Sequence, residues 1–283
     1  MFALKNPDWI SKFNYQYSSF YEIPESVFNE INKNLNERIS DKPLVSILIA
    51  AWNEEINILR SVASLSEMET DIPYEILVIN NNSVDNTQLT IDKLNVKSLF
   101  QQKQGTGPAR QLGQEKALGK YILLADADCY YPKKWLDKMI SVLQKPGVSV
   151  VYGRYAFISE TGFPRWKLMI LETLKNIFAE IRQINKPFLN TYGLSMGYVK
   201  EFGLKAGFAM NNLRLDDGSL ALDLMKFGKI KQVKSSKATI WTGPRTLQKD
   251  GTLYQALKNR FKIEYKRFFS YFNKKIKSMP PKD

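Results

Sequence analysis

Between residues 44 and 125, short apolar runs alternate with segments in which apolar residues recur every three or four positions. An unbroken apolar run is typical of a strand buried on both faces, whereas the wider spacing is typical of an amphipathic helix. The pattern predicts strands at 44–50, 74–79, 97–101 and 121–125, and helices at 54–65, 86–94 and 107–118. This alternation predicts an α/β fold with a Rossmann-like, mostly parallel sheet flanked by helices.

The segments outside this alternation divide the chain into three parts. Residues 1–42 end just before Pro43 and are predicted to form an N-terminal extension. The main domain is predicted over 43–244, and within it a broad apolar helix between Phe163 and Ile184 is assigned to core packing. Residues 245–283 are predicted to form a basic, amphipathic C-terminal helical segment.

The composition removes several kinds of chemistry. The 283 residues include no His and one Cys, Cys129, which excludes an internal disulfide, Cys-based zinc clusters, Ser-His-Asp or Cys-His catalysis and imidazole ligands. Acid–base and metal chemistry therefore fall to carboxylates. The formal charge of +13 favours an anionic partner, such as phosphate, nucleic acid or an anionic membrane surface. Because no apolar run reaches the roughly 18 residues of a membrane span and no secretory signal is found, a cytoplasmic location is expected.

Polar residues follow three of the predicted strands. They are Trp52-Asn53-Glu54, Asn80-Asn81-Asn82 and Asp126-Ala127-Asp128. Open parallel sheets bind ligands beyond the carboxyl ends of their strands. Because residues i and i+2 of an extended segment project to the same side, Asp126 and Asp128 can hold one Mg²⁺ or Mn²⁺ together with a substrate diphosphate. The alternative is that one aspartate caps the next helix and the other is solvated.

The order of these elements, from about Leu44 to Gly243, resembles a family 2 inverting glycosyltransferase of the GT-A fold. Trp52-Asn53-Glu54 is similar to that family's aromatic-Asn-Glu, and Asn80 to Thr87 is similar to its acidic-Gly-Ser-Thr-Asp segment. Ala109-Arg110-Gln111-Leu112-Gly113 and Asp126-Ala127-Asp128 follow in order. Asp216-Asp217 then resembles the family's Glu/Asp-Asp pair. Each motif alone is unspecific, whereas the five in order indicate the family.

The resemblance implies transfer of a sugar from a nucleoside-diphosphate sugar to a glycan or lipid-linked acceptor, in the synthesis of cell-surface polysaccharide or glycolipid. It also implies a divalent metal, Mn²⁺ or Mg²⁺, held by Asp126 and Asp128. The residues that it assigns to the nucleotide sugar are Ala50, Trp52, Asn53, Glu54, Asn80, Asn81, Asn82, Asp85, Gly107, Arg110, Asp126, Ala127, Asp128 and Arg245. The residues alone also allow helix capping for Glu54, a tight turn for Asn80 to Asn82, and a plain surface position for Arg110.

The same resemblance makes Asp217 the general base, with Asp216 beside it in the catalytic pair. Asp217 would take the proton of an acceptor hydroxyl as this hydroxyl attacks the anomeric carbon on the face opposite the nucleotide. A single displacement through an oxocarbenium-like transition state would invert the anomeric configuration. Capping of the following helix is the alternative role, since an N-terminal Asp is favoured there by roughly 1 kcal/mol.

The sequence departs from the family pattern at two places. Asn80 to Asn82 stand where relatives usually carry acids at the nucleobase edge, which leaves the base open. A late His that many relatives have near the metal is absent, and Thr242 to Arg245 occupies the comparable region, so Arg245 is a candidate for supplying positive charge to the diphosphate. Asn190 to Gly197 resembles the stretch that lines the donor and acceptor pocket, and the helix at 163–184 often borders the acceptor site in relatives.

The last part of the chain is strongly basic, with eleven Lys or Arg and three acidic residues in 245–283. Its apolar residues fall on one face of a predicted helix: Leu253, Leu257, Phe261, Tyr265, Phe268, Phe272 and Ile276. Such a segment suits an anionic membrane surface, where each nearby cation contributes about 1 kcal/mol. Peripheral contact with the inner face of the cell membrane would suit a lipid-linked acceptor. The alternative packs this face against the main domain.

Two other functions stay open at this point. A sugar-1-phosphate nucleotidyltransferase shares the sheet architecture, but the Gly-rich, Lys/Arg-bearing phosphate loop usual in that class is absent from 44–55. Nucleic-acid binding by the basic aromatic tail is the less favoured alternative. It predicts an affinity that falls steeply with salt and does not depend on Asp128.

Overall fold

The computed structural model describes residues 4–210 and 216–248, together with residues 255, 258 and 259. The apolar positions of the predicted C-terminal helix, from Leu253 to Ile276, lie outside the described residues. The helices are Glu25–Asn36 (α1), Asn57–Ser66 (α2), Thr87–Asp92 (α3), Thr106–Lys116 (α4), Trp135–Leu143 (α5), Arg165–Asn185 (α6), Lys200–Ala206 (α7), Asp216–Leu224 (α8) and Arg245–Gln248 (α9). The strands are Val45–Ala51 (β1), Tyr74–Asn80 (β2), Lys97–Phe100 (β3), Tyr121–Asp126 (β4), Cys129–Tyr130 (β5), Val148–Tyr152 (β6), Tyr155–Phe157 (β7), Met196–Val199 (β8), Lys229–Gln232 (β9) and Ile240–Thr242 (β10).

The predicted α/β architecture is confirmed. A seven-stranded sheet has the order β3-β2-β1-β4-β8-β6-β9. Its first four strands are parallel, β8 runs antiparallel to both of its neighbours, and β6 and β9 are again parallel. A second sheet, β5-β10-β7, lies where the chain continues beyond β4. The carboxyl ends of β1, β2 and β4 therefore lie side by side at one edge.

Alternate residues of the central strands enter two cores, one on each face of the sheet. Ile47 and Ile49 of β1 join the core that contains α1, α2 and α5. Leu48, between them, joins the core that contains α4, α7 and α8. This period of two in a strand buried on both faces explains why the sequence shows an unbroken apolar run. Helices on both faces were predicted from that run.

The N-terminal segment packs directly on the main domain. Phe13, Phe28 and Leu35 are buried in the same core as α2 and α5, and Ile39 forms an isolated parallel bridge with Tyr74 at the start of β2. The predicted division at residue 42 stays a prediction. The apolar residues of the segment nevertheless form one continuous core with the sheet.

The helix predicted between Phe163 and Ile184 is present as α6, but only one of its faces is buried. Leu168 and Leu171 lie in a small core with Leu247 of α9. Trp166 and Ile177 on the other face are 54% and 52% exposed. Core packing is therefore confirmed for Leu168 and Leu171 and was wrong for Trp166 and Ile177. The sheet offers α6 one surface only, so a helix that is apolar on several sides leaves some of them uncovered.

Within the described part of the chain, we find no helix that combines the length and the apolar character needed to cross a membrane.

Gly119, just before β4, lies where the chain passes against β1. A Cβ at this position would lie 2.6 Å from the backbone N of Ser46 and 2.7 Å from the backbone C of Val45. Gly119→Ala is expected to lower the free energy of unfolding by about 1–3 kcal/mol, because backbone atoms cannot move aside as a flexible side chain can. Urea denaturation would measure the loss. Gly243→Ala is the matched control, because the nearest atom to its Cβ would be 3.6 Å away; an equal loss in both variants would contradict the argument.

Candidate functional site

Asp126 and Asp128 lie in the turn that joins β4 to β5. Asp126 ends β4 and Cys129 begins β5, so the two aspartates are not on one extended segment as predicted. Their carboxylates nevertheless converge, because the turn folds back. One carboxylate oxygen of each and the sulfur of Cys129 all lie within 4.8 Å of one another.

The donors at this turn fit a divalent ion that prefers oxygen. Two carboxylates on neighbouring positions are ligands for Mg²⁺ or Mn²⁺. Burial raises the pKa of the Cys129 thiol well above its usual value, and the charge of Asp128 adds to the rise. For an ion that prefers oxygen, the carboxylates of Asp126 and Asp128 are therefore the fitting donors, and the thiol is not.

A buried arginine links this turn to the acidic pair of α8. Arg110, in α4, is only 5% exposed. Its Nη2 lies 3.1 Å from Oδ1 of Asp126, and its Nη1 donates to Oδ1 of Asp217. The predicted place of Arg110 near the acids of the site thus agrees with the geometry, and the plain surface position does not.

Asp217 is held from two sides at the start of α8. Its Oδ1 accepts from Arg110, and its Oδ2 accepts from the backbone N–H of Gly193 at 2.7 Å. Gly193 cannot carry a side chain here, because a Cβ would lie 1.9 Å from Nη2 of Arg110. Asp216 is the first residue of α8, and its role in the catalytic pair stays a prediction.

Arg245, at the start of α9, connects the segment that follows β1 with the turn that follows β4. Its Nη2 donates to Oε1 of Glu54 at 2.6 Å and to Oδ2 of Asp128 at 2.8 Å, while Nη1 lies 3.2 Å from Oε2 of Glu54. About half of the Arg245 side chain is exposed. The guanidinium thus lies at the mouth of the site and already neutralises Asp128.

Asn80 and Asn81 are buried and bonded to the protein. Asn80 donates to Oε1 of Gln88 and accepts from the N–H of Ser83. Asn81 donates to the carbonyl of Lys103 and accepts from the N–H of Gly105. Asn80 therefore fixes the loop after β2 to α3, and Asn81 ties this loop to the loop before α4. Contact with a nucleobase would need an exchange of these bonds or the second lone pair of an amide oxygen.

The loops after β1 and β2 are also joined to each other. Asn53 donates its N–H to Oγ of Ser83, and its Oδ1 accepts from the N–H of Val84. Asn53 and Asn82 adopt positive φ angles of 53° and 58°, a conformation that Asn tolerates better than most residues. These bonds give the strand ends a fixed shape.

The other residues assigned to the nucleotide line or support this edge. Trp52 is 54% exposed beside the joined loops. Asp85 accepts from both the N–H and the hydroxyl of Thr87, at the start of α3. Ala50 pairs with Asp126 in the register of β1 and β4, and Gly107 is buried in the first turn of α4. Ala127 is buried between the two aspartates.

The structure adds a supporting residue that sequence reasoning missed. The hydroxyl of Tyr131 accepts from the N–H of Asp126 at 2.8 Å and lies 3.2 Å from the carbonyl of Leu194. It thereby fixes the turn against the segment that precedes β8. No local pattern marks Tyr131, because its second partner, Leu194, lies 63 positions away along the chain.

Burial and three neighbouring charged side chains determine the pKa of Asp126. Burial raises the pKa of Asp126 to about 7; the positive charge of Arg110 opposes this rise, whereas the negative charges of Asp128 and Asp217 add to it. Water reaches 36% of the side chain, which limits the effect of burial. A cation beside this carboxylate would favour its ionised form.

Comparison with known proteins identifies the family of the site. The model of Glycosyl transferase family 2 matches residues 46–203. The chain is 32% identical over 130 residues to glycosyltransferase AglE of Haloferax volcanii, a match that covers 44% of this chain and 43% of that protein. It is 26% identical over 217 residues to the Escherichia coli UDP-Glc:alpha-D-GlcNAc-diphosphoundecaprenol beta-1,3-glucosyltransferase WfgD, with 68% of this chain and 84% of that protein covered.

Solved structures share the fold. TarS of S. aureus in complex with UDP superposes with a TM-score of 0.56 at 19% identity, over 72% of this chain and 62% of that one. The mannosyltransferase PcManGT of Pyrobaculum calidifontis, in complex with GDP-Man and Mn²⁺, has a TM-score of 0.55 at 14% identity, over 83% of this chain and 70% of that one. At these identities the likeness shows the GT-A fold.

The raised pKa of Asp126 predicts a pH dependence of stability. Between about pH 4 and pH 7 the folded protein binds more protons than the unfolded chain, so the free energy of unfolding falls as the pH rises through this window. Asp126→Asn removes that slope. After allowance for the water that reaches the carboxylate, we expect the variant to gain roughly 1–2 kcal/mol over the parent between pH 5 and pH 8. Urea denaturation of both proteins in a chelator would show it, and parallel pH curves would contradict it.

Proposed function

Because the chain belongs to glycosyl transferase family 2, we propose that it transfers a sugar from a nucleoside-diphosphate sugar to an acceptor hydroxyl with inversion at the anomeric carbon. The observation that carries this proposal is the meeting of Asp126, Arg110 and Asp217 at one edge of the sheet. A candidate metal ligand, Asp126, and a candidate base, Asp217, thereby both contact the guanidinium of Arg110. Capping of α8 alone would not require Asp217 to bond with a residue of α4.

The donor is proposed to lie over the carboxyl ends of β1, β2 and β4. Trp52, Asn53 and the rigid loop of Asn80 to Asn82 would border the nucleoside, and Arg245 would lie near its phosphates. Mn²⁺ or Mg²⁺, held by Asp126 and Asp128, would neutralise the charge that develops on the leaving diphosphate. Arg245 can turn from Asp128 towards an incoming phosphate, because its side chain is half exposed.

Asp217 is proposed as the general base. Arg110 and the N–H of Gly193 hold its two oxygens in one orientation, and each oxygen keeps a second lone pair that can accept the proton of an acceptor hydroxyl. The hydroxyl oxygen then forms the bond to the anomeric carbon while the bond to the diphosphate breaks. Since one displacement completes the transfer, the configuration inverts.

The acceptor is proposed to be lipid-linked, within the synthesis of a cell-surface polysaccharide or glycolipid. Two observations support this class. The E. coli relative carries a diphosphoundecaprenol acceptor in its name, and the chain itself has a formal charge of +13. A basic protein that works at the inner face of a membrane can approach such an acceptor from the cytoplasm.

Calorimetry tests the donor site. The protein is expected to bind at least one of the UDP, GDP and dTDP sugars in the presence of Mn²⁺, and to lose about ten-fold or more in affinity when a chelator removes the metal. Asp128→Ala is expected to abolish the metal-dependent part of binding. Asp137→Ala, which removes an acid of α5 that pairs with Lys134, is the matched control and should bind as the parent does. If no nucleotide sugar binds, the proposal fails and nucleic-acid binding becomes the favoured reading.

Substitution of the proposed base separates binding from turnover. Asp217→Asn is expected to keep the affinity for the nucleotide sugar and to lower the rate of transfer by about 10²–10⁴-fold, because the amide cannot take the proton. Asp223→Asn, further along α8, should transfer sugar at the parental rate. Normal transfer by Asp217→Asn would show that another group is the base.

A further inference from the structure

The outward face of α6 carries an unbroken line of apolar side chains. We define the α6 stripe as Trp166, Ile170, Leu174, Ile177 and Ile184, which are between 39% and 75% exposed. Their spacing of four, four, three and seven residues puts them within one sector of the helix. Over the 21 residues of α6, this sector is about 30 Å long at 1.5 Å per residue.

The α6 stripe belongs to none of the three hydrophobic cores of the described residues. The side chains that α6 turns towards the protein include Leu168, Leu171, Glu172 and Ala179, all buried. Glu172 is fixed there by Arg165 and by the backbone N–H of Phe157. Because these bonds hold Glu172 on the buried side, they fix the rotation of α6 about its own axis, and the stripe faces solvent. Contiguous exposed apolar surface of this extent usually marks an interaction site.

Exposed lysines lie near both ends of α6. Lys167 is exposed next to Trp166 and lies over its ring at 5.3 Å. Near the C-terminal end of α6, Gln183 donates to the carbonyl of Ile230 in the edge strand β9, and Lys229 and Lys231 of this strand are exposed. The apolar stripe thus has cations in the neighbourhood of both its ends.

The most basic stretch of the sequence begins beside the same helix. Leu247 of α9 is fully buried against Leu168 and Leu171 of α6. After this contact the chain enters residues 249–283, which hold ten of the eleven Lys and Arg found from Arg245 onward. The last described residues of α9 therefore lie beside the N-terminal half of α6, directly before this cationic sequence.

We propose that the α6 stripe is a docking surface for an anionic lipid bilayer. An apolar band that ends in a tryptophan and is bordered by lysines matches the acyl boundary and the charged headgroups of such a surface. This inference rests on the proposed function, since the α6 stripe is the surface by which the enzyme would reach a lipid-linked acceptor. Contacts within the fold connect α6 with the site: α6 packs against β7, β7 pairs with β10, and the Thr242 hydroxyl of β10 lies 3.4 Å from the carbonyl of Asp128.

Vesicle flotation of the full chain tests the surface. The parent is expected to bind phosphatidylcholine vesicles that contain phosphatidylglycerol and to bind pure phosphatidylcholine vesicles weakly. Ile170→Ser/Leu174→Ser/Ile177→Ser is expected to lower the affinity for the anionic vesicles by about ten-fold or more, because it removes the side chains that would enter the acyl boundary. Leu118→Ser/Leu204→Ser, which alters exposed apolar residues away from α6, is the matched control and should bind as the parent does.

A second measurement needs only a single substitution in the stripe. Brominated phospholipids placed in the anionic vesicles quench tryptophan emission at short range, so Trp166→Phe should remove a large part of the quenching seen with the parent while keeping vesicle affinity. Equal quenching in both proteins would overturn the proposal. So would parental vesicle binding by the triple serine variant.

Other occupants of the stripe give distinct results, each of which would overturn a lipid contact. If the triple serine variant lowers the melting temperature and leaves vesicle binding unchanged, another part of this chain covers the stripe. If the variant instead dissociates a dimer, a second copy covers it. Nucleotide-sugar binding, measured by calorimetry on the same preparations, reports on the proposed function separately, because the donor site and the stripe share no residue.

Discussion

The guanidinium of Arg110 joins two carboxylates that are far apart in sequence, and the geometry of the site depends on this contact. Asp126 and Asp217 are separated by 91 positions, and each would repel the other if no cation lay between them. Arg110 is almost fully buried, so its own charge also requires partners. The turn after β4, the start of α4 and the start of α8 are thereby fixed to one another.

A second guanidinium balances the outer part of the site. Arg245 binds Glu54 and Asp128, which belong to the ends of the first and the fourth strand of the chain. Glu54, Asp126 and Asp128 therefore each have a cationic partner in the protein itself. A metal ion and a diphosphate that bind here would therefore replace ion pairs that already exist. They would not have to neutralise carboxylates that lack a partner. The half-exposed position of Arg245 makes it the more readily exchanged of the two.

The two halves of the site differ in how they are built. On the donor side, side-chain amides of Asn53, Asn80 and Asn81 lock the loops after β1 and β2 by bonds to backbone groups. On the other side, the link to Asp128 runs through the small sheet: α6 packs against β7, β7 pairs with β10, and β10 contacts Asp128. A polar site on the same domain as an apolar outer helix face suits an enzyme that would take one substrate from water and the other from a lipid phase.

The apolar runs determined the α/β fold and the positions of the strand ends, because a strand buried on both faces of a parallel sheet is an unbroken apolar run in the sequence. The order of the motifs determined the family. Asp126 and Asp128 could be picked out for the same reason, since they directly follow such a run. The sequence alone could not decide that Arg110 pairs with Asp217, that the Tyr131 hydroxyl lies against the carbonyl of Leu194, or that Arg245 reaches Glu54, because each contact joins residues that are distant along the chain. Nor could it decide which side of α6 is buried. The anchoring of Glu172 by Arg165 and Phe157 set that rotation, and only the packed structure shows that the apolar residues on the other side face outward.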